Sequence, residues 1–334
     1  MSEHTRQTGH AADAPTFAER ALKIAERLGD LHLRVAANYY LGTACFVAGD
    51  YRRTDKYFGT ILDLLKGDRF RERCGLAGFP AVMSRMFWPL ALAERGEFAR
   101  GMVEAQEGVR LAETLDHPYS LICAMRAVGR MHGAKGDFDR AIPIAERSVA
   151  LSRDRNLPQL FPEVADLLGY VYALSGRVAE GLSLLEESLK ALESMAMYQW
   201  RSSVLVHLSE AFLLASRPKD AFALAERCLA LTRERGHRGY EAWTLRLLGE
   251  IASDHDRLDV TTAETHYDAA VTLASELEMR PLVAHCHLGF GKLYRRTGER
   301  RKARQHLATG MSIYRDLDMR FSVDTARENT KVPQ

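Results

Sequence analysis

A chain of 334 residues, 46% hydrophobic and 27% charged, has ordinary globular composition and is long enough for two domains or one long array. Its formal net charge of +2 gives no global attraction to nucleic acid or an acidic membrane, and 37 of its 46 basic residues are arginine, which reads first as coding bias. No run of about 18 apolar residues exists to cross a bilayer. The opening MSEHTRQTGHAADAPT lacks the apolar stretch of a secretory signal, so a cytoplasmic protein is expected.

In chain order, residues 1–15 are expected to be loose, and the first ordered element is FAERALKIAERLGD at 17–30. Its Ala18-Glu19-Arg20 returns as Ala145-Glu146-Arg147 and as Ala225-Glu226-Arg227. Internal repetition fixes architecture, so the period matters most. A small residue stands seven positions before a turn residue in Gly42/Gly49, Gly129/Gly136, Gly169/Gly176, Ser209/Ser216, Gly249/Asp256 and Gly291/Gly298. Pro89/Gly96 fills the remaining slot. The steps are 47 residues, then 40 four times, then 42. Five residues past the turn comes another mostly small position: Gly101, Ala141, Gly181, Ala221 and Ala303. Thr54 stands there in the first unit, and Ala263 in the sixth after a two-residue shift.

Each unit reads as two helices. In the fourth, Leu160, Val164, Leu167, Leu168 and Val171 form one apolar stripe, Gly176-Arg177 turns the chain, and Leu182, Leu185, Leu189 and Leu192 form the next. Pro118 and Pro158 are read as opening first helices, where a missing N–H costs nothing. No segment alternates with period two, so no strands are expected. The paired small residues are expected where the two helices cross closely. The long first step brings an insertion near Lys66–Phe79, Pro89 is expected to kink its helix, and HDRLDVTT at 255–262 reads as an enlarged turn. Counting back 127 residues from the third unit places Gly136 on Gly9 and Ala145 on Ala18. FAERALKIAERLGD is therefore a second helix without a first. Its flank of Leu22, Ile24, Ala25 and Leu28 is short of a partner. Docking or self-association there, or cover by residues 1–16, both stay open.

The pattern resembles the tetratricopeptide repeat family. The resemblance rests on Leu41-Gly42 with Gly49-Asp50-Tyr51, on Gly129 with Gly136-Asp137-Phe138 and Ala141, and on Leu168-Gly169-Tyr170 with Ala173. It covers residues 17–317, with a period of 40 against the family's usual length of about 34. Similar long units occur in C-terminal regulatory tails of bacterial signalling ATPases and adenylate cyclase-like proteins, and residues 280–307 look like the last unit of such a tail. The resemblance implies an all-α, right-handed α-α superhelix of seven helix pairs plus the N-terminal orphan helix. A single domain over 16–328 would end in a short capping helix at 319–328, followed by a loose tail at 329–334.

Chemistry is sparse. HLGFGKL at 287–293 lacks the spacing of a phosphate loop and lies within a helix. His285 and His287, two apart on a helix, point about 200° away from each other and cannot share an ion. The five cysteines form no C-x-x-C pair and read as buried free thiols. Arg295, Arg296, Arg300, Arg301, Lys302 and Arg304 cluster at a helix end, but acidic residues interrupt any longer basic stripe, so nucleic acid is not the expected partner. No nucleophile, base and orienting group are grouped. The expectation is no enzyme, no cofactor and no metal.

In the tetratricopeptide family, partners lie along the concave wall of first helices. Carried onto matching positions, the resemblance implies a wall of Tyr39 and Phe46, Met83, Met86 and Glu94, Arg126 and Arg130, then Glu163, Asp166 and Tyr170. It continues through Ser203 and Glu210, Trp243, Arg246 and Glu250, and His285, Lys292, Arg295 and Arg296. Two uses compete. The charges pair between successive units, or the arginines clamp a carboxylate while Tyr170 and Trp243 give flat contact area. The expected function is a non-enzymatic protein- or peptide-binding scaffold in bacterial signalling, with an acidic partner the better match to Arg295 and Arg296. The alternative is a sensory module that holds a small anionic ligand in the groove and acts on a signalling ATPase, cyclase or transcription regulator.

Overall fold

The computed structural model describes residues 14–254 and 258–319. Residues 1–13 and 329–334 of the expected loose ends, the turn marker Asp256 and, but for Met319, the expected capping helix lie outside them, whereas Ala14 and Pro15, expected to be loose, are helical. Among the described residues there are fifteen α-helices and no strand. The first helix among them is α1 (Ala14–Leu28). Seven hairpins follow: α2 (Leu31–Ala48) with α3 (Tyr51–Leu64), α4 (Pro80–Arg95) with α5 (Phe98–Thr114), and α6 (Pro118–Lys135) with α7 (Phe138–Asp154). Next come α8 (Phe161–Leu174) with α9 (Val178–Ser194), and α10 (Arg201–Leu214) with α11 (Pro218–Arg235). The last are α12 (Arg238–Ala252) with α13 (Val260–Glu276), and α14 (Arg280–Arg296) with α15 (Arg300–Asp316). None of these helices is long and apolar enough to cross a membrane.

Local chemistry sets the boundaries. Asp30, Asp50 and Asp259 each accept the backbone N–H three residues on at 3.0 Å, capping α2, α3 and α13. Pro118 is the first residue of α6, as expected, but Pro158 opens nothing: α8 starts at Phe161, and Pro162 takes the tolerated first-turn place. Helix α4 runs on through Pro89, and α7 through Pro143. The 47-residue step contains a single 3-10 turn, Gly67–Arg71.

The paired small residues meet as expected in the fourth unit, where a Cβ on Gly181 would lie 2.5 Å from the Gly169 carbonyl oxygen. Elsewhere the first-helix glycine makes room for a large side chain instead. Gly42 seats the Phe58 ring, Gly249 the Tyr267 ring and Gly291 the Leu307 side chain. Fully buried side chains such as Leu167, Leu185 and Leu205 each contribute on the order of 1.5–3 kcal/mol relative to exposure. On α1, Ala18 and Ala25 are buried and Leu22 packs beside them, whereas Ile24 and Leu28 are exposed, as is Leu33 on α2.

The superhelix closes on itself. Helix α12 touches α2, and α14 touches α4, so one superhelical turn takes five units and the second turn rests on the first. Phe98 and Met131 of the second and third units share one apolar cluster with Leu307, Tyr314, Leu317 and Met319 at the chain's other end. The first helices therefore enclose a bore filled by their own side chains.

Candidate binding wall

At one end the bore is aromatic. Tyr39 and Met86 are both buried, and Phe87 packs edge-on against Tyr39 and Phe46. Phe87 also stacks on Phe58 and on Trp200, with centroids 6.1 and 5.8 Å apart. The Arg126 guanidinium lies 4.4 Å from the centre of the Trp200 ring. Arg126 pairs with Glu163 at 3.7 Å, and both are more than nine-tenths buried.

The middle of the bore is a relay. Arg130 Nη2 faces His207 Nε2 at 3.2 Å, and His207 Nδ1 faces an Asp166 oxygen at 2.7 Å. The guanidinium can only donate, so Nε2 accepts and the ring carries its proton on Nδ1, as a neutral imidazole donating to Asp166. Burial pushes the His207 pKa down, which agrees with that state. Burial alone would raise the Asp166 carboxyl, but His207, Arg130 and the Ser203 hydroxyl at 2.8 Å together hold it below its ordinary value. Tyr170 stacks on His207 with ring centres 3.9 Å apart and donates its hydroxyl to Glu210 at 2.9 Å. Glu210 accepts from Arg246 at 2.7 Å, and Arg246 also reaches Glu250 at 3.0 Å.

Toward the far end, Trp243 donates its indole N–H to Glu94 at 2.9 Å, and burial pushes that carboxyl up. His285 packs against Trp243 and contacts the Tyr314 hydroxyl at 2.7 Å, and burial pushes its pKa down to about 3. Lys292 is half-buried. Arg295 and Arg296 lie outside the bore on the exposed end of α14, where Arg296 donates to the Ser253 carbonyl. His287 faces away from the bore and pairs with His306 at 3.0 Å.

The structure thus gathers Arg126, Arg130, Glu163, Asp166, Tyr170, Glu210, Trp243, Arg246 and His285 in one bore, puts Tyr39 and Met86 into its aromatic end, and leaves Arg295 and Arg296 apart. The contacts are made by the chain itself, unit to unit. Sequence reasoning missed His207 and Trp200. His207 falls two residues before its unit's marker Ser209, outside the wall positions carried over from the family, and Trp200 sits at a helix N-cap, ahead of that frame. Among the described residues no group of three or more metal-binding side chains converges. The arrangement can exchange hydrogen bonds and ion pairs with a ligand.

No protein-family model matches this sequence, and no curated protein sequence does. Solved structures are similar in fold. A Rap protein complexed with competence and sporulation factor superposes with a TM-score of 0.66 at 9% identity, covering 86% of this chain and 76% of that one. The Rap conjugation gene regulator of plasmid pLS20, in complex with the Phr* peptide, gives 0.63 at 13% identity, covering 90% and 79%. NprR in complex with its cognate peptide NprX gives 0.57 at 9% identity, covering 90% and 89%. With seven stacked helical hairpins and these neighbours, the chain has the fold of the tetratricopeptide-like helical repeat proteins.

Proposed function

We propose that this chain is a non-enzymatic regulatory scaffold of bacterial signalling that takes a peptide segment on its inner wall. The neighbours solved with bound peptides support the class. The observation that carries the reading is the chemistry of the bore. A wall required only to pack does so with aliphatic side chains, whereas this one buries Arg126, Glu163, Asp166, Glu210 and Arg246 beside Tyr170 and Trp243. Burying ion pairs seldom adds stability over an apolar replacement of the same shape. In this reading Glu163 and Glu210 stand where a partner's carboxylates go, so an acidic peptide exchanges one ion pair for another of the same kind. Panning a displayed random-peptide library on the wild type, on Arg126→Gln and on the surface variant Arg295→Glu tests it. Acidic sequences should enrich on the wild type and on Arg295→Glu, which lies outside the bore, and fade on Arg126→Gln. Enrichment with no charge preference would remove the acidic partner, and no enrichment would remove the peptide.

The alternative, a small anionic ligand in the bore, is favoured by one detail. Arg126 Nη1 and Trp200 Nε1 are buried side by side without a hydrogen-bond acceptor among the described residues. A thermal-shift screen of di- and tricarboxylates separates the two, since only a small-ligand site responds to them.

A further inference from the structure

The bore is shut by contacts between parts of the chain five units apart, and these contacts have a composition of their own. Two leucines at repeat-equivalent positions, Leu277 and Leu317, each seat on the turn glycine of an early hairpin. Gly49 and Gly96 have φ of 82°, and a Cβ on them would lie 3.1 and 2.6 Å from those leucines. Each leucine is followed by an acid at the next residue. Glu278 bridges Arg52 at 2.8 Å and Arg95 at 3.5 Å, and Asp318 holds Lys135 at 2.8 Å. The closure is also written into Gly239. It lies in the first turn of α12 with no left-handed backbone to explain it, yet an added Cβ would fall 2.2 Å from the Tyr51 hydroxyl of the first hairpin. A cleft of about 480 Å³ follows the same line, with Arg95 on one side and Met279 and Val283 on the other.

We propose that this seam is a latch: the ring opens between its two turns, every hairpin staying intact, and only the open form offers the inner wall to a partner. The proposal rests on the peptide reading for what enters, and on the seam alone for how it opens. Consecutive units pack along whole helices, whereas the two turns meet more sparsely, where α12 touches α2, where α14 touches α4 and at these turns and connectors. The ion pairs there are partly exposed, hence individually weak and screened by salt. Parting them requires only small rotations at successive unit interfaces. The closed form then lowers apparent affinity by the fraction of rings that are open.

The test places spin labels at Lys56→Cys and Thr272→Cys, exposed positions flanking the seam but outside it; the native cysteines are all buried. The unaltered seam should give one narrow distance. Reversing its acids, Glu278→Lys with Asp318→Lys, should add a longer population. Adding Arg52→Glu, Arg95→Glu and Lys135→Glu to that variant should restore the narrow distance, which a merely destabilised fold does not do. The reversed form should also capture about tenfold more of the displayed peptide library than the wild type. A form locked by a cleavable thiol-to-thiol cross-linker joining Arg52→Cys to Glu278→Cys should capture none until the linker is cut. An unchanged distance on charge reversal overturns the latch. So does capture by the locked form, which leaves the peptide reading standing. Opening without capture in any form supports the latch and removes the peptide.

Discussion

Trp243 of the sixth unit donates its indole N–H to Glu94 of the second at 2.9 Å, across 149 residues of chain. The carboxylate it meets lies deep in the bore, and burial raises the Glu94 pKa. A folded value above the unfolded one means that the folded state binds the proton more tightly. Stability from this group is therefore full below the ordinary carboxylate value and falls as pH rises through the raised one. Glu94→Gln keeps an acceptor for Trp243 and removes the titration. Urea unfolding should show it as stable as the wild type near pH 5 and more stable near pH 8, by roughly 1 kcal/mol. Trp243→Phe leaves the carboxylate without its donor and should cost about 1–3 kcal/mol at the higher pH.

Gly239→Ala gives a second, sharper test of closure. In an ordinary helix the change stabilises by up to about 1 kcal/mol. Here the methyl group would meet the Tyr51 hydroxyl, so the expected sign is reversed, with a loss of about 1–3 kcal/mol. Tyr51→Phe removes the oxygen in the way. In the Tyr51→Phe background Gly239→Ala should recover most of that loss, giving a coupling energy well above the additive expectation in a double-mutant cycle. Additivity would mean that α12 and the first hairpin are not in contact.

The forty-residue period made the hairpins legible, because marker glycines and alanines recur wherever helices approach closely. That Gly42 and Gly249 receive an aromatic ring, instead of a crossing backbone, was not legible. The period shows where space is needed and not what fills it. The closure was hidden for a different reason. Superhelical pitch is the sum of small rotations over five unit interfaces, and no single residue type reports it. Gly239 is its plainest sign, yet a lone glycine near a helix start reads as turn punctuation. Among the wall residues carried over from the family, Arg295 and Arg296 lie outside the bore, and whether Arg246 meets solvent or Glu210 depends on that same pitch. His207 escaped because its place in the relay depends on stacking against Tyr170, a contact between units that no spacing rule encodes.

Acid should unfold this protein early. His207, His237 and His285 are held neutral by burial, His237 at about 4 and His285 at about 3. Each folded value lies below the unfolded one of about 6.5, so on acidification the unfolded chain takes up protons that the folded chain refuses. Stability should fall from about pH 6.5 downward, by about 1.4 kcal/mol per pH unit for each histidine until its folded value is reached. Asp166 and Glu210, held low, add a further loss only below the ordinary carboxylate range. In His285→Gln, which keeps a polar group for Tyr314, urea midpoints between about pH 6.5 and pH 4.5 should follow a slope shallower by one histidine's share. An unchanged slope would mean that His285 titrates normally.

The thiols give a check that needs no variant. Burial pushes Cys45, Cys74 and Cys228 up to about 11 and Cys286 to about 12, and raises Cys123 well above its usual value. Near pH 8 almost no thiolate is present, and none of the five is exposed. A disulfide reagent should titrate essentially none in the native protein and all five in denaturant. A fast native reaction would place a cysteine at the surface.

Arg246 serves two carboxylates, Glu210 at 2.7 Å and Glu250 at 3.0 Å, and this unequal sharing predicts an unequal response. Arg246→Met leaves both acids in the bore without their cation and should cost about 3–5 kcal/mol in urea unfolding. Glu210→Gln leaves Arg246 with Glu250 and keeps an acceptor for the Tyr170 hydroxyl, so about 1 kcal/mol is expected. The milder variant bears directly on function. If a partner's carboxylate displaces Glu210 from Arg246, neutralising Glu210 weakens the internal competitor while leaving the cation in place. Glu210→Gln should then enrich acidic library peptides more strongly than the wild type, and Arg246→Met should enrich none. Equal capture by wild type and Glu210→Gln would mean that this pair is structural and that acidic partners bind elsewhere.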